Sequence, residues 1–540
     1  MSLAARVVML GALSVGVCLV GIELMITAVA LPAIVPDLAD WTELRRASWI
    51  INGYLLAFVA SMPLAGRAAD RYNLPTLFAL ALLVFAAASL LAGAAQDLDW
   101  LVAARVLQGA GAGAVVPLAT AGASHLFDGP ARARAIGLVG ALTFVGIALG
   151  PFLGALVLER LHLSPELLVL GAGVAGAVEL LAPAWRWVFY LGAPFAVLAA
   201  LYAWAAGVGW NAERERAGLD LLGAGLFTSA LAAGLLALTT LGTEPADGLN
   251  ATQLALLSAA LLALAVLRFW RARFPFIDLR FFANRIFSGA VLLSLLTGYG
   301  LATAVIGGAV FVDRVRYAGP HEQQLALGAL GVAVAFGALG SGVILRRVGV
   351  VPLTVVGLCL SIAGFVLLAQ ATPRSGVESI MAGLALFGAG FGLTVTARST
   401  AAVEALGRRA FGVASAGVTV ARMIGMAVGL AALTVLGSNR IEALSVVLVD
   451  QQARDAVLPE ALRGRPLQDY LVVDVLEAWA ADQAASILSV LFLVAAGVTA
   501  LAILPTLAMR SGTHATGEVS RPSPAELNVE EDRPAVLPPA

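Results

Sequence analysis

From Val7 to Val35 the sequence runs 29 residues with a single ionisable side chain, Glu23. Coiled as a helix, that stretch is about 43 Å long at ~1.5 Å per residue, and ~20 apolar residues suffice to cross a bilayer core. Thirteen further apolar stretches follow. The pattern predicts spans at 7–35, 48–66, 75–95, 101–122, 135–158, 187–209, 219–241, 251–270, 287–311, 323–345, 351–371, 377–399, 411–437 and 479–508. Hydrophobic residues make up 60% of the 540 and charged residues 12%, a balance outside that of soluble globular domains. In lipid every backbone polar group needs an internal partner, so only helices or closed barrels cross. Seven Tyr and nine Trp are too few for a barrel with aromatic girdles. The expected fold class is an all-α polytopic membrane protein with 14 transmembrane helices.

Glu23 sets the functional question. A carboxylate inside a span costs ~2.5–3.5 kcal/mol on insertion scales, so it belongs against a bundle interior or a wet cavity. Two readings stand: a structural acid satisfied by a neighbouring helix, or a proton-coupling site. Composition removes other classes. The net charge is −1 and all 33 basic residues are Arg, which gives no sign of nucleic-acid binding. Cys18 and Cys359 sit in apolar segments and read as packing residues rather than a disulfide or metal pair. His125, His162, His321 and His514 are scattered without ligand spacing, so no metal, cofactor or catalytic set is expected and the chain does not read as an enzyme. The first apolar run is too long for a cleavable signal and lacks a small-residue cleavage site.

Arginine placement orients the spans. With the N-terminus inside, the inner segments hold sixteen Arg, among them Arg67, Arg132, Arg346 and Arg347, against six in the short outer loops. Both termini are therefore expected in the cytoplasm. The loop Gly66-Arg-Ala-Ala-Asp70-Arg71 is echoed by Gly342-Val-Ile-Leu-Arg346-Arg347, each after the second helix of a six-helix set. The expected domains are an N-terminal bundle over 1–209, two extra spans with an inner connection over 210–286, and a C-terminal bundle over 287–508. A disordered tail over 509–540 follows. A six-plus-two-plus-six plan implies a binding site between the bundles at mid-membrane.

Three connections stand out. The apolar outer insertion 159–184 predicts a helix over 165–181 lying in the outer leaflet. Arg268–Arg285 mixes Arg with Phe and Trp and suits the headgroup level. The outer segment 438–478 carries two apolar stripes at helical spacing: Ile441, Leu444, Val447 and Leu448, then Leu467, Leu471, Val475 and Trp479. Pro459 and the Gly464–Pro466 stretch break the pattern between them, so an outer helical hairpin is expected between the last two spans.

The motifs lie within the spans. Arg105, Gln108 and Gly109 share a face of the fourth span at i, i+3 and i+4, and Gly109 with Gly113 gives the small-xxx-small spacing of close helix approach. Arg105 is the natural counter-charge for Glu23, and such a pair can release and rebind a proton as its separation changes. The fifth span repeats Gly146, Gly150 and Gly154 with Pro151 after the second, a smooth face with a kink where two helices rock. In the thirteenth span Arg422 lies too deep for easy snorkelling, with Gly425 and Gly429 on or near its face.

Together these residues resemble the major facilitator superfamily in its fourteen-span drug:proton antiporter branch, across nearly all of 7–508. Glu23 nine residues before Pro32 is similar to the branch's first-span motif. Gly66, Asp70 and Arg71 match its inner-loop motif, and Arg105, Gln108, Gly109 and Gly111 its fourth-span motif. Gly146, Gly150, Pro151 and Gly154 match its antiporter motif, and Trp185-Arg186-Trp187-Val-Phe189 its sixth-span opening. Within the branch, 48–71, 420–433 and the outer segment 438–478 resemble the mycobacterial triacylglycerol and lipid exporters that work with a periplasmic lipoprotein. The chain departs from the branch at Asn73-Leu74-Pro75, Met25, Ala28, Gly192 and Phe144.

The resemblance implies a proton-coupled exporter of lipophilic molecules or lipids in a bacterial inner membrane. Glu23, Arg105 and Arg422 would couple protons. Gly66, Asp70, Arg71, Gln108, Gly109, Gly146, Gly150, Pro151 and Gly154 would serve the conformational switch. Substrate, protons, membrane lipids and an extracytoplasmic lipoprotein are the implied partners. A multidrug:proton antiporter for amphipathic drugs is the alternative, and it would favour more cavity acids than this chain offers.

Overall fold

Apolar runs become helices here because each peptide group must be hydrogen-bonded within its own segment, and polar caps decide where they start and stop. The computed structural model describes residues 2–39, 44–127, 129–161, 181–208, 210, 220–241, 249–406, 411–466 and 469–509. Among them are fourteen helices long and apolar enough to cross a membrane. In chain order they are α1 (Leu3–Leu38), α2 (Trp49–Arg71), α3 (Leu74–Gly93), α4 (Leu98–Leu126), α5 (Gly129–Arg160), α6 (Ala184–Ala206), α7 (Leu221–Thr239) and α8 (Ala251–Arg271). There follow α9 (Arg285–Val315), α10 (Pro320–Val348), α11 (Val350–Ala369), α12 (Val377–Leu406), α13 (Phe411–Val449) and α14 (Tyr470–Ala508). The helix expected over 165–181 falls on residues 162–180, outside the described part.

Several helices outrun their apolar stretches, since caps rather than hydropathy end them. Asp97 starts α4 by accepting the Trp100 N–H at 2.7 Å, and Asn250 and Gln253 close a capping box on α8; each such cap is worth ~1 kcal/mol. Asn73 begins α3 by accepting the Thr76 N–H at 3.2 Å, with Pro75 in the first turn. The departure at Asn73-Leu74-Pro75 is thus a helix-start signal. At the equivalent place in the second bundle Gly349 alone joins α10 to α11 at φ +85°, a left-handed conformation suited to glycine.

The two six-helix sets repeat one packing scheme. In the first, α1 packs on α5, α2 on α4 and α3 on α4 and α6; in the second, α9 packs on α13, α10 on α12 and α11 on α12 and α14. The closest backbone approaches recur residue by residue. Gly109 and Gly113 of α4 meet the backbone of Tyr54 and Phe58, and Gly388 and Gly392 of α12 meet that of Leu330 and Val334. Gly146 and Gly150 of α5 meet Cys18 and Ile22, and Gly425 and Gly429 of α13 meet Leu295 and Tyr299. These crossings place every partner 276 to 279 residues after its counterpart, the same offset as Gly66 to Gly342. The bundles meet along two related seams, α2 against α13 and α5 against α10. The α7–α8 hairpin breaks the symmetry by packing on α2 and α13, at the first seam only.

The α7–α8 hairpin is closed by a buried acid that hydropathy reading overlooks. Asp220 caps α7 through the Gly223 N–H at 3.0 Å, accepts Arg268 Nε at 3.0 Å, and accepts the Phe276 N–H at 3.1 Å. Trp270 near the end of α8 and Phe274 and Phe282 on the following segment are exposed, while Phe269 and Phe276 are buried. Beyond the membrane-crossing length, α13 continues to Val449, and a short helix at Gln451–Val457 and a 3-10 turn at Glu460–Leu462 lead back to α14. Gly464, at φ +74°, makes the turn, its N–H donating to Asp455 Oδ1 at 2.9 Å. Leu458, Leu462, Val472 and Leu476 form a separate small core there. Of the expected second stripe, Val475 packs against this core, but its centre lies at Val472 and Leu476, and Leu471 is 38% exposed. Leu458 and Leu462 fold back onto that face, a long-range contact absent from the local pattern. Leu467 lies outside the described residues.

Candidate functional site

Glu23 is 3% exposed near the middle of α1. Arg105 Nη1 of α4 donates to Glu23 Oε1 at 2.7 Å, and Thr27 Oγ1, one turn along α1, donates to the same oxygen at 3.2 Å. The same Nη1 donates to Gln108 Oε1 at 2.5 Å, while Gln108 Nε2 donates to Ser89 Oγ of α3 at 2.7 Å. Arg105 Nε donates to the Ile50 carbonyl of α2 at 3.0 Å. One connected network therefore ties four helices of the first bundle. The guanidinium lies 4.2 Å from the Tyr54 ring centroid and 5.7 Å from that of Phe189 on α6, which adds cation–π attraction. Removing one partner of such a buried pair costs ~3–5 kcal/mol, because the other charge is left uncompensated.

Other polar atoms on α2 have no such partners. Asn52 is fully buried with neither amide atom hydrogen-bonded, and the Tyr54 hydroxyl is also unpartnered. A buried polar group without a partner costs ~1–3 kcal/mol, and such groups mark places where water, a ligand or a second conformation completes the bonding.

The sixth-span opening acts as a clasp on this bundle. Trp185 Nε1 donates to Asp37 Oδ2 near the end of α1 at 2.9 Å, and Arg186 Nη1 donates to the carbonyls of Gly93, the last residue of α3, and Ala95 just after it at 2.8 and 2.5 Å. These contacts join α6 to the ends of α1 and α3 and bring Phe189 to Arg105.

The glycines expected to act in the switch fall into two groups. A Cβ at Gly109 or Gly146 would strike the backbone carbonyl of Tyr54 or Cys18, and at Gly150 or Gly154 it would come within 2.7 or 3.0 Å of Ile22 or Ile26. These are true crossing points. Pro151 stands among them inside α5, where it removes one intrahelical N–H. Gly66 is different: its Cβ would find only Pro117 at 3.8 Å, an ordinary contact. Asp70 and Arg71 are the last two residues of α2; their side chains lie outside the described set.

Arg422 is buried on α13 in the second bundle, its backbone against Gly298 of α9. Its charge acts on Arg398 of α12, a residue the sequence reading missed. Arg398 lies one residue from the expected end of its span, the position of a snorkelling arginine, yet α12 continues to Leu406 and leaves Arg398 1% exposed. Ala401, Ala402 and Ala405, at i+3, i+4 and i+7 from Arg398, were the available signal that the helix ran on past residue 399. At the α2–α13 seam a cavity of about 170 Å³ is lined by Leu55 and Val59 of α2, Gly234 and Leu238 of α7, and Met423 and Ala427 of α13. The single hydroxyl on its wall, Ser258, is spent on the Ala230 carbonyl at 2.7 Å.

Two related six-helix bundles, built on crossings of glycine on backbone and holding a buried acid–arginine pair, define the architecture of a membrane transporter. Residues 13–430 match the family model of the Major Facilitator Superfamily, and the chain belongs to that family. It is 33% identical over 414 residues to a protein of Mycolicibacterium hassiacum named a triacylglyceride transporter, covering 74% of this chain and 73% of that one. It is 30% identical over 474 residues to a triacylglyceride transporter of Mycolicibacterium smegmatis, covering 84% and 80%. Among solved structures, a bacterial homolog of the human lysosomal transporter Spinster, inward-facing and unoccupied, superposes with a TM-score of 0.64 at 18% identity, covering 95% of this chain and all of that one. That likeness concerns the fold.

Proposed function

We propose that this chain is a proton-driven exporter of lipophilic molecules of the triacylglycerol class. It resides in a bacterial inner membrane with both termini cytoplasmic and works by alternating access. The observation that carries the reading is the buried Glu23–Arg105 pair at 2.7 Å, held in a network that spans α1 to α4. A near Arg105 favours the Glu23 carboxylate, and withdrawal of the guanidinium as the bundles rearrange favours its protonated form. Protonation and bundle position are then linked, and a proton gradient biases the cycle. Support for the lipophilic substrate comes from the printed names of the mycobacterial relatives and from the apolar cavity at the α2–α13 seam. The outer hairpin, with its own small core of Leu458, Leu462, Val472 and Leu476, is the part suited to pass lipid to an extracytoplasmic lipoprotein.

The test is efflux of triacylglycerol from proteoliposomes under an imposed pH step, with and without an uncoupler. A proton-driven exporter moves lipid against its gradient only while the pH step lasts. Transport indifferent to both the step and the uncoupler contradicts the proposal.

A further inference from the structure

The second bundle buries two arginines within its helices. Arg398 of α12 and Arg422 of α13 are 1% and 5% exposed, and both approach the same turn of α9. Arg398 Nη1 donates to Thr297 Oγ1 at 2.5 Å, and the backbone of Arg422 packs on Gly298. Among the described residues no carboxylate pairs with Arg398; its other neighbour is the Phe391 ring, 5.1 Å away at the centroid. Its Nε is buried with no hydrogen-bond acceptor. Thr297 offers little more, because its hydroxyl already donates to the Leu293 carbonyl at 2.8 Å. Three residues earlier on the same face of α9, Ser294 is fully buried and its hydroxyl is unpartnered.

An uncompensated buried guanidinium costs several kcal/mol even after relaxation, and here a second like charge stands close by. A donor pair of guanidinium Nε and serine hydroxyl, aimed at no acceptor, is the recognition chemistry of an oxyanion. A cavity opens at the bundle end where α9 begins. Ala401 and Ala405 lie at i+3 and i+7 from Arg398, on its face of α12, and they line a cavity of about 780 Å³ at that end. The charged residue on that cavity's wall is Glu404, which is exposed.

We propose that the second bundle contains a binding site for one oxyanion, a phosphate or a carboxylate, with Arg398 and Ser294 as its donors and Thr297 orienting Arg398. A triacylglycerol has no anionic group, so this site takes a ligand of another class than the one the relatives are named for: an anionic lipid headgroup or a free anion. The claim concerns binding alone and stands apart from proton coupling or lipid export.

The test is binding of radiolabelled dioleoyl phosphatidate to the purified full-length protein in detergent, with inorganic phosphate and dioleoylglycerol as competitors. Saturable binding is expected that dioleoylglycerol does not displace. Arg398→Gln should weaken it at least tenfold and Ser294→Ala severalfold, with Arg398→Lys in between. Displacement by millimolar inorganic phosphate assigns the site to a free anion; resistance to phosphate assigns it to a lipid-borne one. Equal displacement by dioleoylglycerol overturns the site, as does undiminished binding to Arg398→Gln. If Arg398→Gln does not yield monodisperse protein, Ser294→Ala decides alone, and unchanged affinity in that variant overturns the site. Absence of saturable binding of both phosphatidate and inorganic phosphate to the unaltered protein overturns it without any variant.

Discussion

Replacing Glu23 with Gln separates the structural role of this residue from its chemical one. The amide keeps an oxygen that can accept from Arg105 Nη1 and Thr27 Oγ1, the two donors now at 2.7 and 3.2 Å, but it holds no charge and takes no proton. Loss of the charge leaves Arg105, at 1% exposure, without its counter-ion. The expected destabilisation is about 3 kcal/mol, the low end of the ~3–5 kcal/mol for breaking a buried pair, because the hydrogen bonds survive. Glu23→Ala, which loses them too, belongs at the high end. The order Glu, Gln, Ala should appear in thermal unfolding midpoints in detergent.

Transport should respond differently. One elementary charge moved through 100 mV supplies ~2.3 kcal/mol, enough for nearly fifty-fold accumulation at ~1.4 kcal/mol per tenfold. Glu23→Gln should lose that whole factor while still binding and exchanging substrate at equal pH on the two sides. Glu23→Asp should retain part of it, since the carboxylate is present but set back from Arg105. The assay is proteoliposome efflux under an imposed pH step, scored as the ratio of stepped to unstepped flux. A Glu23→Gln ratio equal to that of the unaltered protein would return Glu23 to a purely structural acid and remove the coupling scheme.

Three further outcomes are expected. Gly109→Val puts side-chain atoms into the Tyr54 backbone and should cost ~1–3 kcal/mol or more as overpacking, lowering the yield of monodisperse protein; Gly66→Ala, with 3.8 Å to Pro117, should express normally. Replacing residues 445–470 by a short linker removes the Leu458 and Leu462 half of the outer core, and the trimmed protein should fold and respond to pH but no longer move lipid; normal lipid flux would make the hairpin dispensable. Asp70→Asn at the end of α2 should shift the balance between conformations, read as altered cysteine-labelling rates on the two faces, with unchanged rates on both faces counting against a switch role.

What the sequence made legible was local. Fourteen apolar runs, the spacing of Arg105, Gln108 and Gly109, and the pairing of the first-span acid with the fourth-span arginine can all be read along the chain, because each depends on residues a few positions apart or on charge scarcity. Arg398 was missed because hydropathy ends a span where the polarity rises, while the helix ends where its hydrogen bonds do, at Leu406. Asp220 was missed because its partners, Arg268 and Phe276, are 48 and 56 residues away. The outer stripe was centred away from Val472 and Leu476 because the face of a helix is chosen by what folds back on it, here Leu458 and Leu462.

The repeat carries a further consequence. The scaffold is symmetric: the glycine crossings recur at offsets of 276 to 279 residues, on backbone partners at matching positions. The charges are not. By those offsets Glu23 corresponds to Gly300, Arg105 to Leu384 and Gln108 to Phe387, while Arg422 corresponds to Thr143. The first bundle therefore holds an acid–arginine pair and the second two arginines, on frames of nearly the same geometry. Symmetric frames allow the bundles to rock through equivalent arrangements at the two seams. If both halves carried the same compensated pair, protonation would bias neither arrangement over the other. In the coupling scheme proposed above, the acid is confined to one half, so a proton gained or lost at Glu23 would change the field across the α2–α13 and α5–α10 seams. In the proposed scheme this asymmetry of charge would let protonation favour one arrangement of the bundles, while the gradient sets the direction of the cycle.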